Sequence, residues 1–144
     1  MRKKDKNIVL TDVEITDAGA EGNAIARVDN KVVFVPFVVP GDIVDIKILR
    51  SKKSYAEGRA IAIKHFSDRR IETRCPHFGV CGGCKWQQLN YADQLKFKQK
   101  QVADNLQRIG KINVSSMNDI CGSEDIFYYR NKLEFTFSNS NLLR

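Results

Sequence analysis

The stretch that decides the fold is residues 24–64, AIARVDNKVVFVPFVVPGDIVDIKILRSKKSYAEGRAIAIK. In it, short runs of apolar residues are separated by turn signals, an Asp-Asn pair and a Pro-Gly pair. Val44, Ile46 and Ile48 alternate with polar residues, which is the two-residue period of a half-buried strand. The stretch therefore predicts several short strands joined by tight turns.

Five strands are predicted when the same pattern is followed back to residue 8. They cover residues 8–15, 24–28, 32–37, 44–48 and 55–64. Gly58, Ala60 and Ala62 fall on one face of the last strand, and they are small enough for a crowded interior or a bend. Five such strands favour a closed or partly closed barrel of the OB type, although an SH3-like barrel gives the same pattern.

The rest of the chain has a different character. Residues 65–89 lack periodicity and predict an irregular, cysteine-rich loop. Asn90 as N-cap and Gly110 at the end predict a helix over 90–110. Its residues at helical spacing predict an apolar stripe that packs on a core; they are Tyr91, Leu95, Val102, Leu106 and Ile109. Alternation over 126–137 predicts a further strand. The expected fold class is mainly β with one long helix (α+β), divided into 1–64, 65–89, 90–110 and 111–144.

Composition and charge narrow the class of protein. The 144 residues carry a net charge of +7 and are 42% hydrophobic, enough for a core. The positive excess flanks the cysteine-rich loop, with eight basic against three acidic residues over 50–74 and six against two over 85–111. This placement favours a polyanion such as RNA. Apolar runs are too short for a membrane span and there is no signal-peptide pattern, so a cytoplasmic monomer that binds no membrane is expected.

Three of the four cysteines lie in CPHFGVCGGC: Cys75, Cys81 and Cys84. A C-x2-C pair with a third thiol is typical of metal sites, and the glycines leave backbone amides free to approach sulfur. Spacing alone fits an iron–sulfur cluster and a structural zinc equally well. The lack of a second C-x2-C or His pair counts against a zinc ribbon.

A fourth ligand is needed in either case. The candidates within the chain are Cys121, His77 and His65. Cys121 stands alone and is expected to be an ordinary packed thiol, while His77 is close to Cys75 and is expected on the surface.

Two runs combine aromatic rings with cations, the pairing that stacks on bases and neutralises phosphates. Their predicted RNA-binding residues are Lys52, Lys53 and Tyr55, and Tyr128, Arg130 and Lys132. The chain contains no recognisable nucleophile–base set and no phosphate-binding glycine loop. No catalytic residue is predicted within it.

These segments together resemble the N-terminal part of the bacterial RNA uracil-5-methyltransferase family. Residues 9–63 are similar to a TRAM domain, a small RNA-binding barrel. CPHFGVCGGCKWQQLNYADQLKFKQKQV (75–102) resembles the loop and helix of members that carry a 4Fe–4S cluster, and FYYRNKLEFTFS (127–138) resembles the start of their central RNA-binding region.

The resemblance implies a 4Fe–4S cluster on Cys75, Cys81 and Cys84, with a fourth cysteine that follows the YYRNK-like strand. Cys121 precedes that strand and does not match. It further implies that the S-adenosylmethionine site, the cysteine that attacks uracil C6 and the general base lie beyond Arg144, so this chain alone should be inactive. The substrate is expected to be RNA, with 23S ribosomal RNA favoured over transfer RNA.

A second interpretation is a self-standing RNA-binding module with a structural zinc or iron–sulfur site and no enzymatic activity. A third is a redox-sensing regulator with an exposed cluster. A methyltransferase domain encoded downstream would favour the enzyme, and a native stop codon after Arg144 the module.

Overall fold

A computed structural model describes residues 8–80, 83–129 and 131–132. They form five strands, one long helix and a short 3₁₀ turn at Ala20–Gly22. The elements are β1 (Val9–Ala18), β2 (Asn23–Val28), β3 (Lys31–Pro36), β4 (Ile43–Ser51), β5 (Tyr55–His65) and α1 (Tyr91–Arg108). The predicted fold class, a five-stranded barrel with one long helix, is confirmed.

The five strands close into a barrel in the order β1-β2-β3-β5-β4. β3 and β5 run parallel, with Val32 opposite Tyr55 and Phe34 opposite Glu57. The other neighbouring pairs are antiparallel. Because the barrel is closed, each strand has a partner on both sides, and β3 and β5 pair over residues 32–34 and 55–57.

The barrel core consists of inward-facing side chains at alternating strand positions. Its buried members are Val13, Ile15, Ala24, Ala26, Val33, Val35, Val38, Val44, Ile46 and Ala56. A Cβ atom on Gly58 would lie 2.5 Å from Ile46 Cγ2 and 3.1 Å from the Lys47 carbonyl oxygen. A glycine at this position therefore lets β5 lie close against β4.

The prediction that Gly58, Ala60 and Ala62 share one inward face is wrong for Ala62. The pairing of β4 with β5 changes register just before Ile46, which lies opposite Ala60. A bulge of this kind interrupts the alternation of side chains. Ala62 is consequently exposed, and Ile63 packs against the core in its place.

Asp42 joins the barrel to the segment that follows β5. Its side chain is fully buried. One carboxylate oxygen accepts hydrogen bonds from Ser67 N–H at 3.0 Å and Arg70 Nε at 2.9 Å. The other accepts from Val39 N–H at 2.8 Å and Arg70 Nη2 at 2.7 Å. The buried charge is thus fully satisfied, which is the condition for tolerating it inside a protein.

The N-cap of α1 is the expected Asn90, whereas the left-handed residue after the helix is Lys111 and not the expected Gly110. The Asn90 side-chain oxygen accepts a hydrogen bond from Asp93 N–H at 2.9 Å, and Asn90 Nδ2 donates to the Asp93 carboxylate at 2.8 Å. These reciprocal bonds fix the first turn. Ile109 is the C-cap, and Gly110 N–H donates to the Asn105 carbonyl at 3.1 Å.

The prediction that α1 packs its apolar stripe on a core is wrong for the residues that the structure describes. Val102 and Ile109 are exposed, and the other three stripe residues are half-buried. The buried helix residue is Asp93. The helix meets the barrel through a polar contact, the ion pair of Lys100 with Asp17. Across the same residues, no helix combines the length and apolar composition of a membrane span.

The described part of the strand predicted over 126–137 is not a strand. Residues 126–129 and 131–132 have no strand pairing. Tyr128 has a φ of 60°, which lies outside the extended region. Residues 130 and 133–137 of this prediction lie outside the described residues.

Candidate functional site

The cysteine-rich loop is organised by its own turns and by side chains of the following segment. Phe78 N–H donates to the Cys75 carbonyl and Val80 N–H to the His77 carbonyl, both at 3.1 Å. Two successive turns therefore lead the chain from the first cysteine toward the C-x2-C pair. The predicted ligand Cys81 lies outside the described residues, between these turns and Cys84.

Gln87 links the two described cysteines of the loop. Its side-chain oxygen accepts a hydrogen bond from Cys75 N–H at 2.8 Å. Its Nε2 atom donates to Cys84 Sγ at 3.8 Å. One amide side chain thereby holds the start and the end of the loop together. Sequence reasoning missed Gln87, and its only signal was its position three residues after the last cysteine.

The donor chemistry of the loop fits a thiolate-bound metal. Cys75, Cys84 and Cys121 are free thiols, with Cys75 half-buried and the other two exposed. An N–H donated to a sulfur stabilises the thiolate that ligates a metal. Among the described residues, no group of three or more His, Cys, Asp or Glu side chains could hold a metal ion. Since Cys81 is outside that set, the three-cysteine site stays a prediction.

The other candidate ligands do not complete the site. His65 and His77 are exposed, and within the described residues neither they nor Cys121 form a group with Cys75 and Cys84 that could hold a metal. Next to Cys121, Ser123 N–H donates to the Tyr91 hydroxyl at 2.8 Å. This contact places the Cys121 segment beside the first turn of α1.

The first set of predicted RNA-binding residues lies at the turn between β4 and β5. Lys52 N–H donates to the Tyr55 carbonyl at 2.8 Å and closes the turn. The Lys52 ammonium lies 5.3 Å from the centre of the Tyr55 ring. That ring also meets Phe34 edge-on, with centroids 5.9 Å apart. Lys52 and Lys53 are exposed and Tyr55 is half-buried, so this turn presents two cations beside an aromatic pair.

In the second predicted set, Tyr128 contacts a residue that sequence reasoning missed, Arg74. Its guanidinium donates to the Tyr128 hydroxyl at 2.6 Å and lies 5.1 Å from the Phe127 ring and 4.8 Å from the Tyr128 ring. Tyr128 remains 88% exposed, so one side of its ring is open. Lys132 is also exposed. The prediction for Arg130 falls on a residue outside the described ones.

Comparison with known protein families assigns the barrel. The TRAM domain family matches residues 11–61, which extend from β1 into β5. This part of the chain is a TRAM domain. The predicted similarity of residues 9–63 to that domain is therefore confirmed.

The relatives extend beyond the TRAM domain. A protein of Bacteroides thetaiotaomicron described as an RNA methyltransferase is 56% identical over 124 residues, 86% of this chain and 27% of the relative. One of Porphyromonas gingivalis with the same description is 50% identical over 131 residues, 91% of this chain and 28% of the relative. The chain thus spans little more than a quarter of their length. The resemblance to RNA methyltransferases is confirmed.

A solved structure also aligns with the chain. It is the Pyrococcus abyssi tRNA (uracil-54, C5)-methyltransferase in complex with S-adenosyl-L-homocysteine, at 27% identity and a TM-score of 0.40, over 70% of this chain and 22% of that one. At this TM-score the alignment does not show that the two chains share a three-dimensional arrangement.

The cysteine-rich loop docks on the TRAM domain at two points. The Phe37 ring, which follows β3, meets Phe78 edge-on at 5.7 Å and has the Lys85 ammonium 5.6 Å from its centre. Gly22, with a φ of 73°, approaches the loop so closely that a Cβ on it would lie 2.3 Å from Lys85 Cβ and 3.2 Å from Trp86 Cδ1. Residues between and directly after the predicted ligands therefore contact the barrel.

Three ionisable groups, one within the barrel and two where α1 meets its neighbours, have shifted pKa values. The backbone N–H of Asp12 holds the pKa of Asp45 below its usual value, with help from Lys64. Burial would raise the pKa of Asp93, but its hydrogen bonds lower it overall; the donors are Asn90, Arg69 and Lys96. The Asp17 carboxylate raises the pKa of Lys100. All three groups are charged at neutral pH.

Proposed function

We propose that this chain is the RNA-binding and iron–sulfur portion of an S-adenosylmethionine-dependent RNA uracil-5-methyltransferase that acts on 23S ribosomal RNA in the cytoplasm. The main observation in support is the similarity to proteins described as RNA methyltransferases over 86–91% of the chain. The TRAM domain within it supports an RNA substrate. In the whole enzyme, methyl transfer is assigned to residues outside this chain.

The metal site is the first part of the proposal. Cys75, Cys81 and Cys84 would hold a 4Fe–4S cluster with a fourth cysteine from outside the chain. The Gln87 bridge between Cys75 and Cys84 supports this set, since it donates an N–H to sulfur and limits how far the loop can open. When bound, the cluster would supply structural cross-linking of the loop, since methyl transfer needs no electron from it.

RNA positioning is the second part. The TRAM domain presents Lys52, Lys53 and Tyr55 at the turn between β4 and β5. After the barrel, Arg74 holds Tyr128, whose ring is largely exposed. Cations neutralise phosphates while rings stack on bases that have left a helix. Such contacts would orient a flipped uridine toward a catalytic domain. We propose that the chain acts as a monomer in this role.

The metal assignment is tested by anaerobic purification followed by iron, sulfide and zinc assays and an absorption spectrum. The proposal expects iron and sulfide in similar amounts and visible absorption typical of a cluster. A colourless protein with one zinc per chain and no sulfide would contradict it. Addition of the downstream residues that follow the YYRNK-like segment should increase cluster retention.

The RNA assignment is tested by titration with fragments of 23S ribosomal RNA and of transfer RNA at several salt concentrations. The proposal expects tighter binding to the ribosomal fragment and a log-linear loss of affinity with salt. Binding that does not change between low and moderate salt would exclude the basic residues as its source. Methyl transfer to uridine C5 is measured on the full-length protein, with this chain as the inactive control.

A self-standing RNA-binding module is the second candidate, supported by the fact that the described residues contain binding chemistry and no nucleophile–base pair that we can identify. It differs from the first in one observation. A reading frame that continues into a methyltransferase domain favours the enzyme, whereas a stop codon after Arg144 favours the module.

A further inference from the structure

The outer face of β3 carries ring-bearing side chains, whereas its inner face contributes side chains to the barrel core. Val33 and Val35 are buried in the barrel, whereas Phe34 and Pro36 alternate with them and are half-buried on the outside. Aromatic and proline side chains on the outer face of a barrel strand are not needed by the core. Their position calls for a second explanation.

The parallel neighbour β5 continues this surface. Tyr55 pairs with Val32, and Glu57 pairs with Phe34, so their side chains lie beside those of β3. Arg59 follows on the same side of β5 and is exposed. The Lys52 ammonium lies over Tyr55 at one end of the surface. This end therefore has two rings and one cation, with Glu57 and then Arg59 further along β5.

The opposite end of the surface lies where the cysteine-rich loop meets the barrel. Phe37 contacts the Phe78 ring and has Lys85 over it. A groove of about 390 Å³ adjoins this end. Its lining residues are Pro36, Phe37, Val38, Arg59, Ala60, Ile61, Ala62 and Ile63. Ile61, half exposed, gives the groove an apolar wall.

We define the aromatic face as Phe34, Phe37, Tyr55 and Phe78 with the cations Lys52, Arg59 and Lys85. Phe34 and Phe37 are three residues apart in the chain, so their Cα atoms are at most about 11 Å apart. One short segment of single-stranded nucleic acid can span that distance, since barrels of the OB type bind about 4–16 nucleotides. The face is thus matched in size to such a segment.

The chemistry selects single strands over duplexes. In a duplex the base faces are hidden in the stack, so the rings of this face have no base to stack on. The carboxylate of Glu57, in the middle of the face, repels phosphate there and can accept a hydrogen bond from a base. Lys52 and Lys85 at the two ends suit phosphates. Bases on the rings, phosphates at the lysines and no phosphate over Glu57 is the arrangement that these charges favour.

We infer that the aromatic face binds a single-stranded segment of RNA along β3 and β5, with one base at Tyr55 and another at the Phe37–Phe78 pair. The second contact makes the cysteine-rich loop part of the RNA surface. This inference rests on the proposed RNA-binding function and adds to it the conformation of the RNA and the route that it follows.

The test uses the 144-residue chain, oligouridine, and polyphosphate as an anion without bases. Tyr55→Leu and Phe37→Leu each remove a ring and should weaken oligouridine binding roughly tenfold, within the range for loss of one stacked base. Neither should change polyphosphate binding. Lys52→Gln should reduce the slope of log affinity against log salt by about 0.7, the value for one phosphate contact to a single strand.

Matched controls are Phe97→Leu, which removes a ring from α1, and Lys64→Gln, which removes a charge from β5 near Asp45. Both should bind oligouridine as the unaltered chain does. Equal binding by the face variants and the controls would overturn the inference, and so would equal loss of oligouridine and polyphosphate binding in Tyr55→Leu. If the unaltered chain binds no RNA, the proposed function itself fails.

A crosslinking measurement avoids the question of whether the leucine variants fold. Oligouridine that contains 4-thiouridine is irradiated with the unaltered chain, and the crosslinked peptides are mapped. Crosslinks in the peptides that contain Phe34, Phe37 or Tyr55 are expected. Crosslinks confined to other peptides, such as those of α1, would overturn the inference.

Discussion

The barrel and the region that follows it are held together by different means. Between β1 and β5 the buried residues are almost all apolar, with Asp42 as the exception. From residue 66 to 129, among the described residues, Leu89 is the one buried hydrophobic residue, and the other buried side chains are polar; they are Ser67, Gln88 and Asp93. Burial of apolar area stabilises the barrel, whereas the second region depends more on hydrogen bonds and ion pairs such as those of Ser67 and Asp93.

This difference indicates which of the two regions a bound metal would stabilise more. A region with little apolar core gains a large share of its stability from any cross-link, since the free energy of metal binding is also free energy of folding. The barrel does not need that contribution. Loss of the proposed cluster should therefore loosen the loop around Cys75 and Cys84 while the strands stay folded.

The largest expected effect comes from Asp42, which belongs to both regions. Asp42→Ala leaves Arg70 and two backbone N–H groups without their buried partner. The free energy of unfolding should fall by about 3–5 kcal/mol, the usual cost of breaking a buried ion pair from one side. Urea denaturation followed by circular dichroism measures it. Asp68→Ala, at an exposed position, is the control, and a loss below about 1 kcal/mol would contradict the role of Asp42.

Gln87→Leu tests whether the Gln87 side chain supports the proposed metal site in the second region. Because the amide bridges Cys75 and Cys84, its loss should lower metal affinity about 10–100-fold, as for other residues that orient metal ligands. The barrel should unfold at the same urea concentration as before. Metal content after anaerobic dialysis against a chelator gives the readout, with Gln107→Leu on the exposed side of α1 as the control. Equal metal retention by both variants would refute the bridge.

Asn90→Ala should affect the second region alone. Removal of the cap on α1 costs about 1 kcal/mol of helix stability. Hydrogen exchange should become faster for amides in the first turns of α1 and stay unchanged for β2 and β3. Asn105→Ala, within the same helix, should not accelerate exchange at the first turn. Faster exchange in the barrel strands would show that the two regions are coupled more tightly than their contacts indicate.

The smallest effect is expected at the contact of α1 with the barrel, the Lys100–Asp17 ion pair. The side chain of Lys100 is half exposed, so solvent screening limits its ion pair with Asp17 to a few tenths of a kcal/mol. The pKa of Lys100 is raised from 10.5. Its contribution is therefore complete below that pH and is lost as the pH rises through the folded-state pKa. Lys100→Gln should remove this dependence, and an unchanged alkaline denaturation profile would contradict it.

The barrel could be predicted because its information is local. Alternation at Val44, Ile46 and Ile48 marks a strand by itself, and Asn90 marks the start of α1 without reference to the rest of the chain. Ala62 could not be placed, because a bulge is set by the pairing of β4 with β5. Whether the apolar stripe of α1 is buried depends on what packs against it, and helical periodicity in the sequence does not specify that partner.

The sequence predicts the residue types of the candidate site, whereas the contacts between them are seen only in the fold. Cysteine spacing pointed to Cys75 and Cys84, and the mixture of rings and lysines pointed to Tyr55. Gln87 and Arg74 act through contacts that the fold creates, in the case of Arg74 with a tyrosine 54 positions away in sequence. Side chains that connect a site have no residue type of their own, so a single sequence does not reveal them.

The closed barrel has a consequence for biosynthesis. The last strand ends at His65, ahead of Cys75 in the chain, and domains fold in the order in which they are synthesised. The barrel can therefore close before the cysteines have left the ribosome. Phe37 and Gly22 are then already in position when the cysteines emerge. The loop would therefore have a folded barrel surface to pack on before the proposed cluster is inserted.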